Sequence, residues 1–373
     1  MNTASHGRAD AATDAATDSG PGTATDSGPD AARDAAPSVA PVMRASVIGA
    51  GSWGSAVAWL LGSKGIDVRL WARDEELAHG INATRHNPRY LADVAFPPTV
   101  CASTDLAETL GGTEAVVLAT PSAVVREMGG RIAPHLDAAT PVVLLSKGIE
   151  AQAGTFLLDV LAESLGGETR LAVLSGPNHA EEVARAMPSA TVVASSTHAT
   201  ADIFQTLFAT PAFRVYTSCD TVGVQLCGAA KNIVAISCGL AAGMGLGDNT
   251  AALLMTRGLA EIGRLVTRAG GDAFTCMGLA GMGDLIATCT SPHSRNRSFG
   301  LELAQGGSLE AYQARTHMVV EGALACKSVT ELAHSHGVDM PISTMVRSVV
   351  WEQQPLDEAL ASLIERSFKP EFY

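Results

Sequence analysis

The stretch Ser46-Val47-Ile48-Gly49-Ala50-Gly51-Ser52-Trp53-Gly54 decides the fold. An apolar run enters G-x-G-x-x-G, and a helical pattern over 53–64 leaves it. Gly49 permits the tight turn, Gly51 lets backbone approach a pyrophosphate, and Gly54 lets helix and strand pack closely; the helix N-terminus presents unpaired N–H groups to the phosphates. A second apolar run at 68–72 follows at the distance a strand–helix–strand unit requires, so the stretch reads as a dinucleotide-binding turn. Ser52 as the nucleophile of a strand-to-helix elbow is the rival reading. It fails because Ala50 stands where that motif needs glycine.

Working outward, apolar and β-branched runs recur at 45–49, 68–72, 115–119, 142–146, 171–174, 191–194 and 213–216. Most lack alternation, the mark of strands covered on both faces. Helical patterns at 53–64, 124–136 and 155–165 separate the early ones, which predicts strand–helix–strand units and a mostly parallel sheet of the Rossmann type. Beyond Thr217 only helical patterns remain, at 222–242, 249–269, 295–305, 319–336 and 356–366. The expected class is therefore α/β, with a dinucleotide-binding domain over 44–220 and an all-helical domain over 221–373 for substrate and catalysis.

Residues 1–43 are of another kind. They hold six Asp and two Arg among Ala, Thr, Ser, Gly and Pro, and Ala16-Thr17-Asp18-Ser19-Gly20-Pro21 recurs as Ala24-Thr25-Asp26-Ser27-Gly28-Pro29. Such a segment cannot bury enough apolar area to offset its chain entropy, so a disordered acidic tail is expected. It carries −4 of the formal −13, leaving −9 on the other 330 of the 373 residues. That length suits two domains with ample core. An acidic balance with 5% aromatic residues argues against nucleic acid as a partner. Seven scattered cysteines without a C-x-x-C pair read as reduced thiols of a cytoplasmic protein, and the N-terminus has no apolar signal-peptide run. The apolar pattern at 222–244 raises the question of a membrane span, but Lys231 and Asn232 sit at its middle, where a charge costs roughly 2.5–3.5 kcal/mol in a bilayer. Helix packing in a core is the better use of its glycines and alanines.

Four features carry chemistry. Leu70-Trp71-Ala72-Arg73-Asp74 ends the second strand, where an NAD site places an acid and an NADP site a cation; Arg73 favours the 2′-phosphate and Asp74 keeps NAD open. Lys147, in Ser146-Lys147-Gly148, follows the strand at 142–146 and aims at the crevice beyond the strand ends, as does Ser175-Gly176-Pro177-Asn178-His179-Ala180 after the next strand. Lys231 lies inside an apolar helix, where burial lowers its pKa toward the range useful for exchanging a proton; a structural lysine paired with Asp284 is the equal alternative. Gly278-Leu279-Ala280-Gly281-Met282-Gly283-Asp284, followed by Ser294-Arg295-Asn296-Arg297, gathers N–H groups, a hydroxyl, an amide and a guanidinium fork that suit a phosphate ester. His334 and His336 are two apart on an expected helix and no H-E-x-x-H occurs, so no metal site is expected.

Taken jointly, these segments resemble the bacterial NAD(P)-dependent glycerol-3-phosphate dehydrogenase family. The likeness runs from Arg44 to about Leu363 through GAGSWGSA at 49–56, SKG at 146–148, SGPNHAEEV at 175–183, AAKNIVAI at 229–236, GMGLGDNTAALLMTRGLA at 243–260, GLAGMGDLIATCT at 278–290 and SRNR at 294–297. The resemblance implies reversible reduction of dihydroxyacetone phosphate to sn-glycerol 3-phosphate with NADP(H) or NAD(H), supplying phospholipid synthesis in the cytoplasm. It implies Lys231 as proton donor and acceptor. Ser52, Trp53, Arg73, Lys147, Ala180, Arg295, Val319 and Glu321 would join Gly49, Gly51 and Gly54 at the cofactor. Lys147, Gly176, Asn178, Lys231, Asp284, Ser294, Arg295 and Asn296 would meet the small-molecule substrate. Asn178 stands where many members have Ser or Thr, and Thr250-Ala251 replaces a pair common in the family. The oligomeric state is left open, with a homodimer among the assemblies allowed. A ketopantoate-type reductase would share the two-domain plan, but its substrates carry a carboxylate where the Ser-Arg-Asn motif suits a phosphate.

Overall fold

Unbroken apolar, β-branched runs form strands when helices cover both faces of their sheet, and the central strands of an eight-stranded sheet in this chain are of that kind. The computed structural model describes residues 40–150, 154–364 and 370. Most of the expected tail, and the end of the helix expected at 356–366, lie outside the described residues. The strands are β1 (Arg44–Ile48), β2 (Asp67–Trp71), β3 (Val100–Ser103), β4 (Ala115–Leu118), β5 (Val142–Leu144), β6 (Leu171–Ser175), β7 (Ser189–Ser195) and β8 (Phe213–Ser218). Their order is β3-β2-β1-β4-β5-β6-β7-β8. All neighbours pair parallel except β6 and β7. The chain winds outward in both directions from β1, so the crevice beyond β1 and β4 is the topological switch point, where ligands of such sheets bind.

The sheet's helices are α1 (Ser52–Ser63), α2 (Glu75–Thr84), α3 (Leu106–Leu110), α4 (Val125–Ile132), α5 (Leu157–Leu165), α6 (Ala180–Val183) and α7 (His198–Phe208). The helix expected over 124–136 is α4 flanked by 3-10 turns at Ser122–Val124 and Ala133–His135. Pro134 has no N–H to continue an α-helical ladder, which ends α4 early.

After Asp220, whose carboxylate accepts from Gly223 N at 2.8 Å, the chain is helical: α8 (Thr221–Gly243), α9 (Asp248–Arg268), α10 (Asp284–Thr290), α11 (Arg295–Ala304), α12 (Leu309–Thr316), α13 (Glu321–Ser335), α14 (Pro341–Trp351) and α15 (Leu356–Ile364). α8 is long and apolar enough to cross a bilayer, yet its most apolar window is 89% buried inside the protein. It shares one hydrophobic cluster with the sheet, Leu226 and Ile233 of α8 joining Leu144 of β5 and Val173 of β6. Glycines set how closely the helices approach. A Cβ on Gly239 of α8 would stand 2.1 Å from Arg297 O, and one on Gly300 of α11 would stand 2.2 Å from Ile236 O. The two backbones therefore touch, and the N-terminal turn of α11 is carried alongside Lys231 and Asn232.

Candidate active site

The glycine turn after β1 is built as its spacing predicts. Gly49 has φ +118°, a left-handed conformation, and a Cβ there would lie 2.7 Å from Ala119 O. A Cβ on Gly54 would fall 1.8 Å from Gly49 O, so only glycine lets α1 sit this close to the turn. A Cβ on Gly51 would meet nothing within 4 Å; the missing side chain leaves open space on the crevice side. Gly51 caps α1 without a side-chain hydrogen bond, so Ser52, Trp53 and Gly54 begin the helix with N–H groups that no cap satisfies. Thr120, at the end of β4, adds a buried hydroxyl with no partner among the described residues. Open backbone, uncapped N–H groups and an orphaned hydroxyl together fit a pyrophosphate. Trp53 packs against a small cluster containing Ala56 and Ala180, which seats α6 beside the turn. Arg73 is exposed at the end of β2, and Asp74 caps α2 through Leu77 N at 3.0 Å.

The lysine and the carboxylate that the sequence places 53 residues apart meet in the core. Lys231 Nζ donates to Asp284 Oδ1 at 2.6 Å and to Thr288 Oγ1 at 2.6 Å. Lys147 Nζ donates to the other carboxylate oxygen, Oδ2, at 2.6 Å and to Gly176 O at 3.1 Å. Asp284 is 2% exposed and Lys231 5%. Burial pushes the Asp284 carboxyl up, but the charges of Lys147 and Lys231 outweigh it and hold the group below its ordinary value. Burial pulls Lys231 down to about 8, against the attraction of Asp284 and with the repulsion of Lys147. Two cations on one buried anion leave a net positive site, suited to an anionic substrate.

Other expected residues arrange around this trio. Asn296 Nδ2 donates to Asn232 Oδ1 at 2.9 Å, and Asn296 Oδ1 accepts from Gly322 N at 2.9 Å, which ties α11 to α8 and α13. Ser294 spends its hydroxyl oxygen as the cap of α11, accepting from Arg297 N at 3.3 Å, while Arg295 is exposed on the first turn. Val319 is partly buried just before α13. Glu321 accepts from Ser122 Oγ at 2.5 Å and from Ser122 N at 3.3 Å, joining α13 to the end of β4, and burial pushes its carboxyl up. The Asn178 amide lies 2.9 Å from Thr191 Oγ1 on β7, turned to the sheet and bonded to neither lysine. Thr288 lies inside the quoted stretch 278–290 without an assigned role, and Ser122 is absent from the motif reading. Thr288 is four residues after Asp284 and so shares its helix face, a spacing that could have found it; its hydroxyl donates to Asp284 O at 2.7 Å, leaving lone pairs for Lys231. Ser122 carries no local signal.

Comparison with known proteins gives one family along nearly the whole described chain. Residues 44–201 match the model of the NAD-dependent glycerol-3-phosphate dehydrogenase N-terminus, and residues 220–361 match that of the C-terminus. The chain is 48% identical over 335 residues to a glycerol-3-phosphate dehydrogenase (NAD(P)+) from Nocardia farcinica, covering 88% of this chain and 99% of that one. A namesake from Corynebacterium aurimucosum is 45% identical over 328 residues, covering 87% and 99%. The crystal structure of a glycerol-3-phosphate dehydrogenase from Coxiella burnetii superposes with a TM-score of 0.83 at 38% identity, covering 87% of this chain and 99% of that one.

Proposed function

The chain belongs to the NAD-dependent glycerol-3-phosphate dehydrogenase family and interconverts dihydroxyacetone phosphate and sn-glycerol 3-phosphate with NAD(H) or NADP(H), and we propose that Lys231 is the proton donor and acceptor of that reaction. The observation that carries this reading is the buried Lys231 ammonium, fixed by Asp284 and Thr288 and held at a pKa of about 8. When bound, the dinucleotide supplies or accepts the hydride at C2. In reduction Lys231 gives its proton to the ketone oxygen, the N–H bond breaking as the O–H bond forms; in oxidation the neutral amine takes the proton back. Two of the three ammonium hydrogens are already directed to Asp284 and Thr288, which aims the group and leaves the third for the substrate.

Lys147 neutralises the other side of Asp284 and stands at the crevice with charge to offer the substrate. Arg295 and Asn296 receive the phosphate ester, the guanidinium as a planar fork and the amide as a single donor. Gly49, Gly51 and Gly54 with the N-terminus of α1 take the pyrophosphate. Supply of glycerol 3-phosphate to phospholipid synthesis in the cytoplasm is the setting this reading gives the enzyme.

The test is Lys231→Ala, followed by NADPH oxidation and by direct NADPH binding. Turnover with dihydroxyacetone phosphate should fall by roughly 10²–10⁴-fold, the usual weight of one positioned acid, while NADPH binding persists. A near-normal kcat would remove Lys231 from the role. Unphosphorylated dihydroxyacetone should be a poor substrate of the wild type; equal kcat/KM for both ketones would place no phosphate at Arg295.

A further inference from the structure

The loop after α2 carries a cation that the motifs pass over. Its pin is Asn87, which is 1% exposed. The Asn87 amide nitrogen donates to Ala50 O at 2.9 Å and to Ser55 Oγ at 2.8 Å, in the glycine turn and in α1. Its carbonyl oxygen accepts from Arg89 N at 3.0 Å and from Tyr90 N at 3.1 Å. A buried and fully paired amide of this kind fixes the loop against the turn. Arg89 is thereby brought to the end of β2, where its Nη2 lies 2.8 Å from Asp74 Oδ2 and 3.8 Å from Glu76 Oε2. Its side chain is 47% exposed, so part of the guanidinium fork still faces solvent.

Asp74 occupies the place from which an NAD-selective site reaches the ribose 2′-hydroxyl. Here both of its carboxylate oxygens are engaged, Oδ1 by Leu77 N at 3.0 Å and Oδ2 by Arg89. The preceding residue, Arg73, is exposed at the same strand end. Two guanidinium groups beside an engaged carboxylate suit a phosphate dianion better than a neutral hydroxyl.

We propose that Arg89, pinned by Asn87 and acting with Arg73, reads the adenosine 2′-phosphate and makes this chain selective for NADP(H) over NAD(H). The proposal rests on the dinucleotide-dependent reading above and extends it to cofactor choice. Calorimetric titration of the full chain with adenosine 2′,5′-bisphosphate and with adenosine 5′-monophosphate tests it without turnover. The wild type should bind the bisphosphate more tightly. Arg89→Ala should weaken bisphosphate binding by roughly 10–100-fold, the worth of one charge-assisted hydrogen bond, and lower the NADPH/NADH ratio of kcat/KM in parallel. Arg89→Lys should fall between, because it keeps the charge and loses the fork. Equal binding of the two nucleotides by the wild type, or an unchanged preference in Arg89→Ala, overturns the proposal alone. A wild type that binds neither nucleotide overturns the dinucleotide reading and the proposal with it.

Discussion

At the scale of single residues, the chemistry turns on how a buried amine can be both cation and base near neutrality. Burial brings Lys231 to about 8, and Asp284 keeps it from falling further. In the proposed role of Lys231 reduction uses the ammonium form, so kcat for dihydroxyacetone phosphate should be level below pH 8 and decline as the pH rises through it. Oxidation uses the free amine and should rise through the same value. Asp284→Asn leaves burial and the Lys147 charge unopposed, so both limbs should move about 1–3 units to lower pH in pH–rate profiles. Limbs that stay in place would show that Asp284 does not hold the Lys231 proton. Lys231 was legible in the sequence because a cation amid an unbroken apolar run is an anomaly. Its proton-exchanging role stood even with a purely structural one paired with Asp284, because nothing local says what surrounds the ammonium across the core.

At the scale of elements, apolar patterning located seven of the eight strands, since a strand covered on both faces needs no polar alternation. The exception is β3, four residues at the sheet edge with Cys101 exposed. α2, α3, α6, α7, α10, α12 and α14 escaped because shorter helices with mixed faces give weak periodicity, and tertiary partners make them. α14 shows such a partner. Glu261 of α9 is 3% exposed and accepts from Ile342 N at 2.7 Å, with Ser343 N and Ser343 Oγ at 3.3 Å, in the first turn of α14. Burial raises its carboxyl from 4.5 to about 7, against these hydrogen bonds and the charge of Arg264. The folded chain thus keeps a proton that the unfolded chain releases, and this share of stability is full below pH 4.5 and is lost as the pH rises through about 7. Glu261→Gln cannot titrate, so the Tm of the wild type should fall relative to that variant between pH 5 and pH 8, as thermal melts would show. A constant difference would mean that the carboxyl is already ionised at the lower pH.

At the scale of the whole molecule, a protein of formal charge −13 gathers a few cations at chosen places: Lys147 and Lys231 on Asp284, Arg295 at the head of α11, and Arg73 with Arg89 at the end of β2, the groups to which the proposed readings give the two anions. The curated relatives align to only 87–88% of the chain, and the family match begins at residue 44. A chain beginning at Ala40 should therefore keep the kcat and KM of the full protein in side-by-side assays; a clear loss would give the acidic segment a role. The sequence by itself determined the nucleotide turn, the parallel sheet, the change to helices after Thr217 and the identity of the central lysine, because each rests on neighbours within a few residues. Only the tertiary structure decided that Asp284 would bridge two lysines, that Ser122 would clasp Glu321, and that Asn87 would carry Arg89 to Asp74 at the end of β2. Those contacts join residues up to 199 apart, and their partners are chosen by how helices and sheet pack, which no local pattern records.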